Sequence, residues 1–70
     1  MNKENLKLKG YRVQADLTQT DMANHLGMTR QNYALKENGV LKFNQNEINK
    51  IILLLKDKNV DVSYENIFMD

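Results

Sequence analysis

The sequence predicts an all-α domain of five short helices, and three observations favour that fold. Apolar residues recur at the three- and four-residue spacing of one helix face, capping residues precede these stretches, and glycine ends two of them. Residues 60–62 alternate as a strand does, but they have no partner run, and a lone strand is not stable. We therefore expect residues 1–70 to form a single helical domain.

The composition limits the size of the core and the classes of function. The 70 residues include no cysteine, and 41% are hydrophobic and 27% charged, which is typical of a compact domain. Disulfides and thiolate metal sites are therefore excluded. The longest apolar run, residues 51–55, is far too short to span a membrane, and the first residues lack the apolar stretch of a signal peptide. We expect a cytoplasmic protein with no membrane partner.

Two helices are predicted in the first part of the chain, over residues 4–15 and 19–26. Thr18 suits the N-cap of the second helix, because its hydroxyl can accept from the free backbone N–H groups of the first turn. Gly27 follows at the position where a left-handed residue ends a helix without steric cost. Helical spacing places Leu8, Tyr11, Arg12 and Ala15 on one face of the first helix, and it predicts that Met22, Ala23 and Leu26 form the buried stripe of the second.

A third helix is predicted over residues 30–38, between Thr29 as its N-cap and Gly39 as its end. It has few apolar residues, and a short turn connects it to an apolar helix. This combination is typical of a helix that is held in place for its exposed face.

The fourth helix begins after Asn44, which can form a capping box with Glu47, and extends to about residue 58. Its predicted core stripe consists of Ile48, Ile51, Ile52 and Leu55. Leu53 points to the far side, so we expect it to be exposed and to form a weak symmetric homodimer contact. A fifth helix, a final turn over residues 63–68, completes the predicted fold.

The charges are unevenly distributed along the chain. Residues 1–44 contain seven basic and four acidic side chains, whereas residues 45–70 contain three basic and five acidic ones. A basic N-terminal part suits a polyanion such as DNA. The alternative is ordinary scatter in a short chain.

One segment carries a resemblance to a known family. Residues 17–39 read Leu-Thr-Gln-Thr-Asp-Met-Ala-Asn-His-Leu-Gly-Met-Thr-Arg-Gln-Asn-Tyr-Ala-Leu-Lys-Glu-Asn-Gly. The opening Leu-Thr-Gln, Ala23, the Leu-Gly at the turn and the closing Lys-Glu-Asn-Gly resemble the helix-turn-helix of the lambda-repressor and Cro family. Phe43, the helix around Glu47 and the closing Glu-Asn-Ile-Phe resemble small phage members, both Cro-like proteins and the modulator-of-repression proteins of lactococcal-type phages.

The resemblance implies a lambda-repressor-like fold with its helix-turn-helix at residues 19–38. It also implies a transcriptional regulator of a phage lysis–lysogeny switch that binds double-stranded operator DNA, without a cofactor, in the host bacterial cell. In such a protein the third helix would enter the major groove, and a dimer would read two half-sites.

The family's residue roles transfer by position. Gln19 and Asn38 match phosphate-contacting positions, and residues 30–32 match those that reach base edges. Arg12 and Glu37 match a partly buried ion pair between the first and third helices. The expected DNA-binding set is Gln19, Thr29, Arg30, Gln31, Asn32, Asn38 and Lys42. For each polar residue the alternative is an ordinary solvated surface position.

Three residues depart from the family pattern. Leu35, Val40 and Leu41 stand where the family places polar or basic side chains that face the groove or bind phosphate. Because these side chains lack the positive charge that the family has there, affinity for DNA should be lower. Together the three residues would form an apolar patch suited to a protein partner. Alternatively, Leu35 touches a thymine methyl group while Val40 and Leu41 lie in the core.

Two main functions therefore remain open. The first is a DNA-binding regulator. The second is an antirepressor that engages the DNA-binding domain of the phage repressor through its own apolar patch, with Leu35, Val40, Leu41 and Leu53 as the expected partner-binding residues. An antitoxin, which shares this fold, is a third alternative, but we would expect a disordered toxin-binding tail that this chain lacks.

Catalysis is not expected. His25 is the only histidine, and its position within a helix is typical of a solvated residue. The sequence contains no nucleophile–base set, no glycine-rich phosphate loop and no metal-ligand cluster. We therefore expect neither an enzyme nor a metalloprotein.

Overall fold

The computed structural model describes residues 6–63 together with residues 65 and 67, and this part of the chain is all-α. Its four helices are α1 (Leu6–Gln14), α2 (Gln19–Leu26), α3 (Arg30–Glu37) and α4 (Gln45–Asp57). None of the residues in that range forms a strand.

The four helices match the first four predicted ones, although α1, α3 and α4 are slightly shorter than expected, and residues 4 and 5 of the first lie outside the described part. Four helices are found where five were predicted. Of the predicted fifth helix, over residues 63–68, residues 64, 66 and 68 lie outside those described, whereas Glu65 and Ile67 have helical backbone.

A single cluster of buried side chains connects the helices. Its members are Leu8, Met22, Ala23, Leu26, Tyr33, Ile51, Leu55, Val60, Val62 and Ile67. The predicted stripe of α4 was wrong at Ile52, which is only half-buried. Successive helix residues are about 100° apart, so Ile52 lies on a flank of the helix, between its core side and the exposed side at Leu53. Val60 and Val62, for which the sequence predicted no place in the core, are almost fully buried.

Side-chain caps and a left-handed glycine fix the turn between α2 and α3. The Thr18 hydroxyl accepts from the backbone N–H of Asp21 at 3.0 Å, and the Asp21 carboxylate accepts from the Thr18 N–H at 2.9 Å. Gly27 has a φ of 73°, and the next residue, Met28, donates its N–H to the Ala23 carbonyl. These bonds end α2 and allow α3 to begin only three residues later.

A second set of contacts attaches α4 to the end of α3. Asn44 and Glu47 form the predicted capping box, with N–O distances of 2.8 and 3.0 Å. The Lys36 ammonium also contacts both Glu47 carboxylate oxygens, at 2.7 and 2.9 Å. Burial tends to raise the pKa of Glu47, but the hydrogen bonds from Lys36 and from the Asn44 backbone outweigh burial and hold the pKa below its ordinary value. The Glu47 carboxylate thus caps the N-terminus of α4 and also connects α4 to α3.

Within the described ranges, each helix is too short or too polar to traverse a lipid bilayer.

The turn at Gly27 should show its conformational constraint in stability measurements. Gly27→Ala places a Cβ at a φ of 73°, where no neighbouring atom would clash but the backbone itself is strained. We expect a loss of about 1–2 kcal/mol in the free energy of unfolding. Gly10→Ala is the matched control, because Gly10 lies within α1 with open space around it. That substitution should raise stability by about 0.5–1 kcal/mol. Thermal melts in which both variants move in the same direction would contradict a specific backbone requirement for glycine at position 27.

Candidate functional site

The first feature of the site is a buried carboxylate that receives four hydrogen bonds. Glu37 is 2% exposed. Its Oε2 accepts from Arg12 Nε at 2.8 Å and from the Tyr33 hydroxyl at 2.7 Å. Its Oε1 accepts from Arg12 Nη2 at 3.3 Å and from Gln19 Nε2 at 3.2 Å. The predicted ion pair between Arg12 and Glu37 is therefore present, and the structure adds two further donors to it.

This network connects three helices, because Arg12 lies on α1, Gln19 on α2, and Tyr33 and Glu37 on α3. Arg12 also donates from Nη1 to the Leu17 carbonyl at 2.7 Å, which secures the loop between α1 and α2. Burial tends to raise the pKa of Glu37, but the donors from Arg12, Tyr33 and Gln19 outweigh burial and keep that pKa below its ordinary value. The carboxylate is therefore stabilised in its charged form.

A further hydrogen bond extends the network to the protein surface. The Gln19 amide donates to Glu37 through its nitrogen, and its oxygen accepts from Arg30 Nη1 at 3.4 Å. Gln19 and Arg30 are the first residues of α2 and α3. The exposed guanidinium of Arg30 is thus held beside the start of α2 by a side chain whose own orientation is fixed from the interior.

The exposed surface around α3 carries positive charge. Between residues 30 and 44 the only acidic side chain is Glu37, which is buried. Arg30 and Lys42 are exposed, whereas Lys36 is bound to Glu47. The remaining predicted DNA-binding residues on this segment, Gln31, Asn32 and Asn38, are also exposed, as is the cap residue Thr29. An anionic partner would meet no exposed carboxylate on α3 or on the connector that follows it.

Beside Arg30 lies an open cleft of about 540 Å³. It is lined by Lys9, Arg12, Val13, Asp16, Leu17, Thr18, Gln19, Thr20 and Arg30. The N-terminus of α2 borders this cleft, and the positive end of the helix favours an anion, although the Asp21 carboxylate already caps the same end. Lys9 and Arg30 add to that preference and outnumber Asp16, whereas the charge of Arg12 is compensated by Glu37.

An apolar surface continues from the end of α3. Val40 and Leu41 are 56% and 41% exposed, so the alternative that places them in the core is wrong. Both of their backbone N–H groups donate to the Leu35 carbonyl, at 2.9 and 3.2 Å. Leu35 itself is half-buried. These three residues, called here the α3 apolar edge, adjoin the basic surface.

The sequence did not predict the contacts that Tyr33 and Gln19 make with Glu37, or the contact of Lys36 with Glu47. Tyr33 and Glu37 are four residues apart on one helix, so their contact could have been found from helical spacing. The contacts of Gln19 with Glu37 and of Lys36 with Glu47 join residues on different helices, and no local pattern indicates them.

The described part of the chain contains no group of three potential metal ligands among its His, Asp and Glu side chains. His25 is exposed on α2.

Comparisons with protein-family models, with curated proteins and with solved structures found no match for this chain.

The Arg12–Glu37 pair can be tested with a double-mutant cycle on Arg12→Met and Glu37→Leu. Each single substitution strands a buried charge and should cost about 3–5 kcal/mol of stability. The double variant should be at least as stable as either single variant, because neither charge is then left alone. Lys9→Met, an exposed position on the same helix, is the control and should change stability by less than about 0.5 kcal/mol.

Chemical denaturation of the wild type, the two single variants and the double variant measures the coupling free energy between Arg12 and Glu37. If either single variant is too unstable to fold while the double variant folds, the coupling is already demonstrated. Additive losses in the double variant would mean that the two charges do not depend on each other.

Proposed function

We propose that this protein is a phage-type transcriptional regulator that binds double-stranded operator DNA through α3, in the cytoplasm of a bacterial host. On this proposal α2, the turn and α3 form a helix-turn-helix of the lambda-repressor type, and the regulator acts in a lysis–lysogeny switch. The observation that carries the proposal is Arg30. It is an exposed guanidinium at the first position of α3, it is oriented from the interior through Gln19, and neither α3 nor the connector that follows it carries an exposed carboxylate.

The dimensions and chemistry of α3 support this use. α3 has eight residues, and an α-helix with its side chains is about 10–12 Å across, which fits a major groove about 12 Å wide. Its first three residues are an arginine, a glutamine and an asparagine, all exposed. Arginine can donate two hydrogen bonds to guanine, and glutamine or asparagine can bind adenine through two bonds. These three side chains would therefore read the bases.

Phosphate contacts would come from the surrounding elements. The cleft at the N-terminus of α2 suits a backbone phosphate, and Gln19 has a second amide hydrogen available after its bond to Glu37. Thr29, Asn38 and Lys42 are exposed on either side of α3. Such contacts position a protein on the duplex without reading sequence.

A second candidate function is favoured by a different observation. Val40 and Leu41 expose apolar surface just after α3, and apolar side chains there cannot supply the phosphate contacts through which basic residues raise affinity for DNA. On this alternative the α3 apolar edge binds the DNA-binding domain of a phage repressor and prevents it from reaching its operator. The protein would then act as an antirepressor with the same fold.

One set of affinities separates the two functions. Purified protein is titrated with operator DNA and with the repressor at a fixed salt concentration. If the protein reads DNA, Arg30→Ala and Gln31→Ala should each cost about 1–3 kcal/mol of binding free energy and relax specificity. Lys58→Ala, which removes a positive charge beyond the end of α4, is the matched control and should cost much less. Wild-type protein that binds no DNA sequence specifically would overturn the proposal.

Val40→Lys should change the affinity for DNA and the affinity for the repressor in opposite directions. A lysine there adds a charge that can bind phosphate, so DNA binding should be unchanged or stronger. The same charge placed in an apolar protein interface should cost several kcal/mol and release the repressor. If the wild-type protein binds the repressor but not DNA, and Val40→Lys abolishes that binding, the antirepressor is the correct function.

A further inference from the structure

The outward face of α4 presents one large apolar side chain among polar ones. Leu53, near the middle of this 13-residue helix, is 67% exposed, more than Val13, Val40 or Leu41. The neighbours one turn before and after it on the same face are Asn49, Lys50, Lys56 and Asp57, all exposed. A half-buried Ile52 lies on one flank.

We propose that this face binds a second copy of the chain, with the two α4 helices antiparallel about a two-fold axis that passes beside Leu53. In that arrangement Leu53 packs against the partner's Leu53. The helix dipoles also run in opposite directions, which is favourable for adjacent helices. The contact is isologous, so each interaction away from the axis occurs twice.

The charges around Leu53 are self-complementary in this arrangement. With about 100° between successive residues, Lys50 and Asp57 lie on one flank of Leu53, and Asn49 and Lys56 lie on the other. The two-fold axis places each flank on the same side of the interface as the identical flank of the partner, with the chain running in the opposite direction. Lys50 therefore meets the partner's Asp57, and Lys56 meets the partner's Asn49. No like charges are brought into opposition on either flank.

The α3 apolar edge does not suit a second copy in the same way. The exposed charges nearest to it in sequence, Arg30 and Lys42, are both positive. Two such edges in contact would place like charges together. The face around Leu53 is thus the apolar surface whose charges fit another copy of itself.

The contact is small, so the expected association is weak. One helix face from each copy buries less than the roughly 1,200 Å² typical of stable complexes. We expect a monomer–dimer equilibrium that is seen only at high protein concentration. The proposal does not depend on DNA binding, since it is tested without DNA.

The experiment is sedimentation equilibrium at low salt, with protein concentrations up to about 1 mM. Wild-type protein should rise in average mass from 8.2 kDa toward twice that value. Leu53→Lys should remain monomeric. Lys50→Glu and Asp57→Lys should each weaken association by about tenfold or more, because each places like charges opposite one another. The double variant Lys50→Glu/Asp57→Lys restores opposite charges and should restore association.

Circular dichroism of each variant verifies that the helices remain. A wild-type protein that stays monomeric throughout would overturn the proposal. So would association that persists in Leu53→Lys, or single charge reversals that the double variant does not rescue. The rescue is the decisive arm, because a variant damaged in its fold would not recover when a second substitution is added.

Discussion

The structure depends on the buried carboxylate of Glu37. Moving a carboxylate out of water costs several kcal/mol unless hydrogen bonds and an opposite charge compensate. Here compensation comes from Arg12 on α1, Gln19 on α2 and Tyr33 on α3 itself. Because each donor must reach the same two oxygens, the three helices have little freedom to move relative to one another. The requirement to satisfy one charge therefore fixes the arrangement of the first three helices.

The need to satisfy Glu37 also determines the orientation of side chains at the surface. Gln19 cannot turn away from Glu37 without leaving a buried acceptor partly unsatisfied, so its oxygen stays directed at Arg30. At the other end of α3, the contact of Lys36 with Glu47 attaches the helix to the start of α4. Both ends of α3 are thus held by charged or amide side chains from neighbouring elements. A helix supported in this way can present its exposed residues without reordering them when a partner binds.

Much of the fold was predictable because its signals are local. Thr18, Gly27 and Asn44 mark helix ends through bonds within a few residues, and the periodic apolar residues of α2 identify its buried face. Ile52 and Val60 were misplaced because burial at the edge of a stripe, or beyond a helix end, depends on how the chain packs. The predicted pairing of Arg12 with Glu37 came from a family resemblance. The roles of Gln19 and Lys36 required the tertiary structure, since their partners lie on other helices.

The most direct test of the role of Glu37 is the pH dependence of unfolding in wild type and Glu37→Gln. The pKa of Glu37 in the folded protein lies below its ordinary value of 4.5, so its ionised form stabilises the fold at pH values above that. That stabilisation is lost as the pH falls from about 4.5 through the lower pKa of the folded state. Asp21 and Glu47, whose pKa values are also lowered, are present in both proteins, so the difference between the two isolates Glu37. The variant should be less stable at neutral pH, and the difference should shrink on acidification. A difference that stays constant or widens as the pH falls would contradict the central role of this carboxylate.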